Sequence, residues 1–224
     1  MLDFAVLPVT PFQQNATLLW CKGTRQAVLI DPGGEAQRLL DWARGLNVQI
    51  RQILLTHGHL DHVGAASECR EALQVPILGP HQADQFLLEA LPKQCALFGF
   101  PPIQPLLPDR WLGAGEKISL GESQLEVIHC PGHTPGHLVF FSREDGWAQV
   151  GDVLFQGAIG RTDLPGGDAA QLLDSIRTQL FPLGDGVRIL PGHGPASTIG
   201  RERRTNPFLV EEIADPESSE PKGI

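Results

Sequence analysis

Histidines and aspartates recur directly after short apolar runs in this sequence, and this placement constrains the fold more than any other feature. The segment ILLTHGHLDHVGAA (53–66) ends an apolar run with three histidines and one aspartate within six residues. Two later runs, LEVIHCPGH and VRILPGH, each end in Pro-Gly-His. Because α/β proteins build their sites where strands end at one edge of a sheet, we expect these polar side chains to converge.

Short β-type runs alternate with segments of helical periodicity, which indicates an α/β layered fold. Strands are predicted at 5–9, 17–21, 27–30, 50–55, 117–120, 125–130, 138–142, 147–150 and in VRIL (187–190), and helices at 35–46, 63–73, 81–91 and 168–180. Asp61 is expected to be a helix N-cap. Recurrent prolines between Leu91 and Trp111 predict a long irregular connection.

Charge and composition limit the classes of partner. The chain has 224 residues and a formal net charge of −9, and its last segment, EEIADPESSEPKGI (211–224), is acidic and predicted to be disordered. An acidic body disfavours nucleic acid as a partner. No apolar run reaches the ~20 residues of a membrane span. The N-terminus reads as a strand and the four scattered cysteines as reduced core residues, so the expected location is the cytoplasm.

The polar residues after the runs suit a pair of metal ions. A catalytic zinc site keeps three protein ligands and one open position, so the histidine cluster alone cannot complete two sites. Seven ligands are available in total: His57, His59, Asp61, His62, His133, Asp152 and His193. The sequence predicts one ion on His57, His59 and His133, a second on Asp61, His62 and His193, and Asp152 between them. Taken singly, each of these residues could instead be a cap or a turn residue.

The ordered elements HGHLDH, PGHTPGH, GD and PGHG resemble the metallo-β-lactamase fold superfamily, and the resemblance extends to Val210. It implies a single domain over residues 1–210, an αββα sandwich with the metal ions at one edge, and the same ligand assignment. The fuller strings DPGGEAQRLL, GDVLFQGAIGRTDLPGGD and PGHGPASTIGRERRTNPFL are similar to glyoxalase II, the hydroxyacylglutathione hydrolase family, in its short bacterial form.

This resemblance implies hydrolysis of S-D-lactoylglutathione, a small-molecule glutathione thioester, to D-lactate and glutathione. A hydroxide bridging two divalent ions, with zinc expected and iron or manganese suited to the same ligands, would attack the thioester carbonyl. Asp61 is the expected catalytic residue, as ligand and as partner for the hydroxide's proton. The thiol leaves with a pKa near ~8.5, so no dedicated general acid is proposed.

Other roles follow from the resemblance and keep open alternatives. Asp31 resembles the acid that orients a ligand histidine, and is equally compatible with a simple turn. Arg161 is the candidate anion contact for glutathione, and Arg203 is a second candidate. His137 is expected to pack beneath the site without binding a metal. Phe98 and Phe100 either form a lid or only pack.

Rival functions share the fold. A persulfide dioxygenase would hold one iron through His57, His133 and Asp152, and the ligand spacing does not exclude it. The family's longer members carry a C-terminal helical domain that contacts glutathione, and this chain lacks its length, so a broader thioesterase or a lactonase is an alternative. A β-lactamase is disfavoured because no cysteine lies at a second-site ligand position, and a binding module is disfavoured because no ligand is missing.

Overall fold

Strand β2 shows how the sequence builds two layers of sheet. In the computed structural model, which describes residues 1–210, β2 (Gln14–Cys21) is buried at every position. Because successive side chains on a strand point to opposite faces, Leu18 packs with one hydrophobic cluster and Leu19 with another. A strand that is apolar on both faces must be covered on both, so this sheet lies between helices and a second sheet.

The first sheet has the order β1-β2-β3-β4-β5, with β1, β2 and β3 antiparallel and β3, β4 and β5 parallel. The new strands are β1 (Leu2–Val9), β3 (Gln26–Ile30), β4 (Gln49–Leu54) and β5 (Ile77–Leu78). Its helices are α1 (Ala36–Gly45), α2 (Leu60–Val63), α3 (Ala66–Leu73), α4 (Gln85–Glu89) and α5 (Leu91–Phe98). A 3₁₀ turn, Gln82–Asp84, precedes α4.

The second sheet has the order β13-β12-β9-β8-β7-β6, and only its β9 and β12 strands pair in parallel. Its strands are β6 (Lys117–Leu120), β7 (Ser123–His129), β8 (Leu138–Ser142), β9 (Trp147–Gly151), β12 (Arg188–Pro191) and β13 (Ser197–Thr198). A separate hairpin joins β10 (Leu154–Phe155) to β11 (Ala158–Ile159). Helices α6 (Ala169–Ser175), extended by a π-helical turn Ile176–Leu180 and a 3₁₀ turn Phe181–Leu183, and α7 (Ile199–Thr205) complete this half.

Three hydrophobic clusters fill the spaces between these layers. The cluster between the two sheets joins Leu19 and Ile30 to Val127 and Phe140. A second packs the first sheet against α1 and α3, and a third packs the second sheet against α6 and α7. The layers therefore run helix, sheet, sheet, helix, and the predicted single-domain αββα sandwich is confirmed. No helix within residues 1–210 is long and apolar enough to cross a membrane.

Two local predictions are wrong. The segment predicted to be irregular from Leu91 begins with helix α5, because Pro92 lies in the first turn, where its missing N–H leaves no hydrogen bond unmade. Asp61 is not the N-cap of α2: His59 holds that position, without a side-chain cap bond, and Asp61 lies in the first turn with its carboxylate directed to His193. The predicted disordered tail, 211–224, lies outside the described residues.

Candidate metal centre

The seven predicted ligands follow strands that end at one edge of the sandwich. His57, His59, Asp61 and His62 follow β4 of the first sheet. His133 lies between β7 and β8, Asp152 directly after β9, and His193 after β12, all in the second sheet. The centre is therefore built from both sheets.

The side chains form two groups that share one carboxylate. In the first group, His59 Nδ1 lies 3.1 Å from His57 Nε2 and 3.0 Å from His133 Nε2. In the second group, Asp61 Oδ2 lies 3.2 Å from His193 Nε2 and 3.8 Å from His62 Nε2. These are the two trios that the sequence predicts, each close enough to hold one ion.

Asp152 lies between the groups. Its Oδ2 is 3.7 Å from His133 Nε2 in the first group and 3.6 Å from His193 Nε2 in the second, and its Oδ1 is 3.4 Å from His62 Nε2. A single carboxylate that reaches both groups can bridge two ions.

Hydrogen bonds on the outer nitrogens fix which imidazole nitrogen faces the centre. His133 Nδ1 donates to the carbonyl of Arg161 at 2.7 Å and His193 Nδ1 to the carbonyl of Phe12 at 3.1 Å. A carbonyl only accepts, so both rings carry a proton on Nδ1 and leave Nε2 as the nitrogen that faces the centre. Unprotonated imidazole nitrogen is the form that binds metal ions.

Asp31 fixes two further predicted ligands, His62 and His57. Its buried carboxylate accepts from His62 Nδ1 at 2.9 Å and from the backbone N–H and hydroxyl of Thr56 at 2.8 and 2.6 Å. The Thr56 hydroxyl donates to Asp31, so it accepts from His57 Nδ1 at 2.9 Å. Asp31 has a φ of 50°, the left-handed region that aspartate adopts more readily than most residues. The carboxylate thus orients one histidine directly and another through Thr56.

The inward-facing atoms need a cation. Among the described residues, the buried atoms His62 Nε2 and Asp152 Oδ1, which face the centre, have no hydrogen-bond partner, and leaving such atoms unpaired is costly. In the first group, Nε2 of His57 and Nε2 of His133 both face Nδ1 of His59, which has at most one proton to donate. Divalent ions would satisfy these atoms, and imidazole with carboxylate is a donor set that zinc and iron both accept. The residues present fit a metal centre.

The electrostatics agree with that fit. Burial, and then the neighbouring imidazoles, hold the pKa of His57 well below its usual value, so this ring is neutral. Burial disfavours charge on Asp152, yet the attraction of His62 outweighs it and lowers the pKa of this carboxyl far below its usual range. Burial is likewise outweighed at His62, whose pKa is raised by Asp152 and Asp61. The second group therefore attracts positive charge.

A cavity of about 520 Å³ opens onto the centre. Its walls are mainly apolar: Phe12, Leu60, Phe98, Phe155, Ala158, Ile159 and Leu164. His59, Asp61, His133, Asp152 and His193 form its floor, with Gln94 and Arg161 beside them. A small molecule in this cavity would contact the predicted metal ligands directly.

The structure separates the two predicted substrate-binding arginines. Arg161 lines the cavity, and its guanidinium forms two hydrogen bonds of 2.7 Å with Asp163. Arg203 is not among the residues that line the cavity. It donates to the carbonyl of Phe181, lies over the ring of that residue and pairs with Asp185, because α7 turns this side towards the end of the π-helical segment. Arg203 thus packs between helices.

The remaining predictions concern aromatic rings and His137. Phe12 packs against Phe98 and Phe100, with ring centroids 5.7 and 5.4 Å apart, and of these three rings Phe12 and Phe98 line the cavity. His137 is buried, and its Nε2 accepts from the backbone N–H of Asp152 at 3.0 Å, so it holds the backbone of that residue in place. Sequence reasoning missed Thr56, whose position directly before His57 was the available signal.

Comparison with known proteins places the chain in a family. Residues 9–193 match the model of the metallo-beta-lactamase superfamily. The chain belongs to the metallo-β-lactamase superfamily. Among its relatives is a Haemophilus influenzae protein named hydroxyacylglutathione hydrolase GloC, 50% identical over 209 residues, which cover 93% of this chain and 98% of the relative.

Two solved structures in the superfamily are similar along nearly their full length. TTHA1623 in a di-iron-bound form is 40% identical with a TM-score of 0.84, and the match covers 92% of this chain and 100% of that one. The BLEG-1 B3 metallo-beta-lactamase is 37% identical with a TM-score of 0.86, with 92% and 99% covered. These matches and the histidine-rich site identify the chain as a metal-dependent hydrolase.

Proposed function

We propose that this enzyme is a hydroxyacylglutathione hydrolase that converts S-D-lactoylglutathione to D-lactate and glutathione. The observation that carries the proposal is the complete set of seven side chains in two trios around Asp152, open to a cavity of about 520 Å³. The name of the Haemophilus influenzae relative supports the choice of substrate.

The proposed centre holds two divalent ions, with zinc as the expected metal. His57, His59 and His133 would hold one ion, Asp61, His62 and His193 the other, and Asp152 would contact both. Ions in these positions would lower the pKa of a bound water towards neutrality and polarise the thioester carbonyl.

Asp61 is the proposed catalytic residue because its position suits proton transfer. Its carboxylate lies in the cavity floor, and its side chain keeps 18% of its surface exposed there. Burial disfavours its charge, but His62 and His193 outweigh that effect and hold the pKa of Asp61 below its usual value. Ionised at neutral pH, it can accept a proton from water while the thiolate departs unaided.

Arg161 is the proposed contact for a carboxylate of glutathione. It is the arginine of the cavity wall, its side chain is 58% exposed, and its present partner is the solvent-exposed Asp163. A substrate carboxylate can replace that partner, since exposed ion pairs are weak. The four cysteines are free and buried, which supports a reducing compartment, and we place the enzyme in the cytoplasm.

Metal content and thioester cleavage together test the proposal. The purified protein is expected to contain about two metal ions per chain and to abolish the thioester absorbance of S-D-lactoylglutathione. Asp61→Ala should lose this activity by more than about 100-fold, since direct ligands matter more than the residues behind them. Asp41→Ala, which removes an exposed acid on α1, is the control and should match the wild type.

The protein would instead be a dioxygenase if it held one iron per chain, left the thioester intact and consumed oxygen in the presence of glutathione persulfide. Two ions per chain with equal cleavage of unrelated thioesters would identify a broader thioesterase.

A further inference from the structure

One buried carboxylate outside the seven ligands joins the two loops that carry the first trio. Asp84, at the end of the 3₁₀ turn before α4, has no exposed surface. Its Oδ2 accepts from the backbone N–H of Gly58 at 2.9 Å and from the hydroxyl of Thr134 at 2.8 Å. Its Oδ1 accepts from the backbone N–H of Gly136 at 2.5 Å.

These donors lie beside the metal ligands in the chain. Gly58 separates His57 from His59 in the loop after β4 of the first sheet, and Thr134 directly follows His133 in the loop after β7 of the second. Asp84 therefore fixes the spacing between the parts of the first trio that come from different sheets.

The packing around Asp84 is close enough to require glycine. A Cβ on Gly136 would lie 2.6 Å from the carboxyl carbon of Asp84. A Cβ on Gly58 would lie 2.8 Å from the Cβ of Leu87, which lies in α4, the helix that follows Asp84. Both glycines thus allow the turn that carries Asp84 to approach the ligand loops.

The three donors also explain why the residue is an aspartate. All three are neutral N–H or O–H groups that need an acceptor, and a carboxylate supplies two acceptor oxygens. An asparagine would offer one oxygen and turn its NH₂ towards at least one donor. No cation contributes to the electrostatics of Asp84 among residues 1–210, and burial raises its pKa to about 6. A charge kept in such a position is costly, which indicates that its acceptor geometry is needed.

Gln94 holds the same loop from the other side. Its amide donates to the carbonyl of Gly58 at 3.3 Å, and its Oε1 accepts from the backbone N–H of Leu60 at 2.9 Å. Within residues 1–210, the side chain of Gln94 bonds to the first half of the chain alone, whereas Asp84 also bonds to the loop of His133.

We propose that Asp84 is a positioning residue for the metal centre, which holds His57, His59 and His133 in place by joining the loop of Gly58 to the loop of Thr134. The inference rests on the proposed metal centre. With the loops already in place, an ion binds without ordering them, and once bound it leaves slowly. Loss of the carboxylate should therefore speed release from the first trio more than from the second.

The test is the rate at which the zinc-loaded protein loses its ions to a chromogenic chelator. In the wild type, two ions are expected to leave. Asp84→Asn should accelerate release of one ion by about 10- to 100-fold, the usual effect of removing a group that supports metal ligands. Thr134→Val, which removes one donor, should accelerate it less, and Thr134→Ser should restore the wild-type rate.

A matched control separates positioning from general stability. Asp145 also joins distant segments away from the cavity: both its oxygens accept from the backbone N–H of Leu2, and one of them accepts from the hydroxyl of the nearby Ser142. Asp145→Asn should lower the Tm without accelerating metal release. Equal acceleration in Asp145→Asn and Asp84→Asn at equal loss of Tm would overturn the inference, as would wild-type release from Asp84→Asn.

The measurements on the wild type distinguish failure of the proposed function from failure of the proposed role of Asp84. A wild type that holds two ions but leaves S-D-lactoylglutathione intact would refute the substrate and leave the role of Asp84 standing, whereas a wild type that binds no ion would refute both. If Asp84→Asn does not fold, Thr134→Val and Thr134→Ser carry the test, and equal release rates in these two would overturn the inference.

Discussion

The Nδ1 of His62 lies 2.9 Å from the Oδ2 of Asp31, and both side chains are fully buried. This contact turns Nε2 of His62 towards Asp61 and Asp152, at 3.8 and 3.4 Å. A carboxylate behind a ligand histidine fixes the ring and makes its free nitrogen a stronger donor to a metal ion.

Asp31→Asn is therefore expected to lower metal affinity and kcat/KM by about 10- to 100-fold. Asparagine tolerates the φ of 50° at this position, so the change acts mainly on the hydrogen bonds to His62 and Thr56. Competition with a chelator of known affinity measures the first quantity and a thioester assay the second. Unchanged affinity would show that Asp31 serves only the turn, and Asp41→Asn on the exposed face of α1 is the control.

Removal of the metal ions should destabilise the protein. An ion present at about 1,000 times its dissociation constant adds about 4 kcal/mol to the free energy of unfolding, which corresponds to about 10 °C in Tm for a domain of this size. Chelation should lower the Tm by about that amount and added Zn²⁺ should restore it, as calorimetry would measure. A Tm that chelation leaves unchanged would contradict a metal centre at these residues.

Arg161→Ala should raise the KM for S-D-lactoylglutathione by about 10-fold with little change in kcat, since a charged hydrogen bond contributes roughly 1.5–3 kcal/mol. The backbone carbonyl of Arg161, which accepts from His133, is unaffected by this substitution. Arg203→Ala is the matched control, because Arg203 contacts Phe181 and Asp185. Equal KM changes in the two variants would exclude a specific role for Arg161.

Asp84 should titrate near pH 6 in the metal-free protein, because burial raises its pKa to about 6. Since the unfolded chain has the lower value of ~3.9, the folded state gains a proton between these limits. The resulting stabilisation is complete below pH ~4 and is lost, by about 3 kcal/mol, as the pH rises through ~6. The carboxyl ¹³C shift, assigned with Asp84→Asn, measures the midpoint, and a midpoint near 4 would contradict the prediction.

Local pattern predicted an α/β layered fold and ligands that converge at one sheet edge, and the resemblance to the metallo-β-lactamase superfamily implied the αββα arrangement of the layers. Runs of β-type residues indicate strands, and apolar residues three and four positions apart indicate helices. The ligands follow apolar runs, so they meet at the edge of the sheets where these strands end. The prediction of an irregular segment from Leu91 was wrong because the effect of a proline depends on its position within a helix. Pro92 lies in the first turn of α5, where proline is tolerated.

Contacts between distant segments were not predictable in this way. Asp84 meets Gly58 and Thr134 across separations of 26 and 50 residues, and nothing in QADQFLLE marks this acid as buried. Arg203 lies in an arginine-rich segment that suited an anion, but the direction of α7 decides which side chains reach the cavity. Such outcomes depend on tertiary packing, which one sequence does not specify.

Each trio takes residues from both sheets, and this has a consequence for the order of events on the ribosome. During synthesis, His57 and His59 leave the ribosome long before His133. Asp61 and His62 likewise leave it long before His193. A nascent chain can thus complete neither trio from its first half, and the second trio needs nearly the whole described fold. Completion of either trio therefore requires that both halves of the chain have been synthesised and have folded together, so truncated products should be inactive.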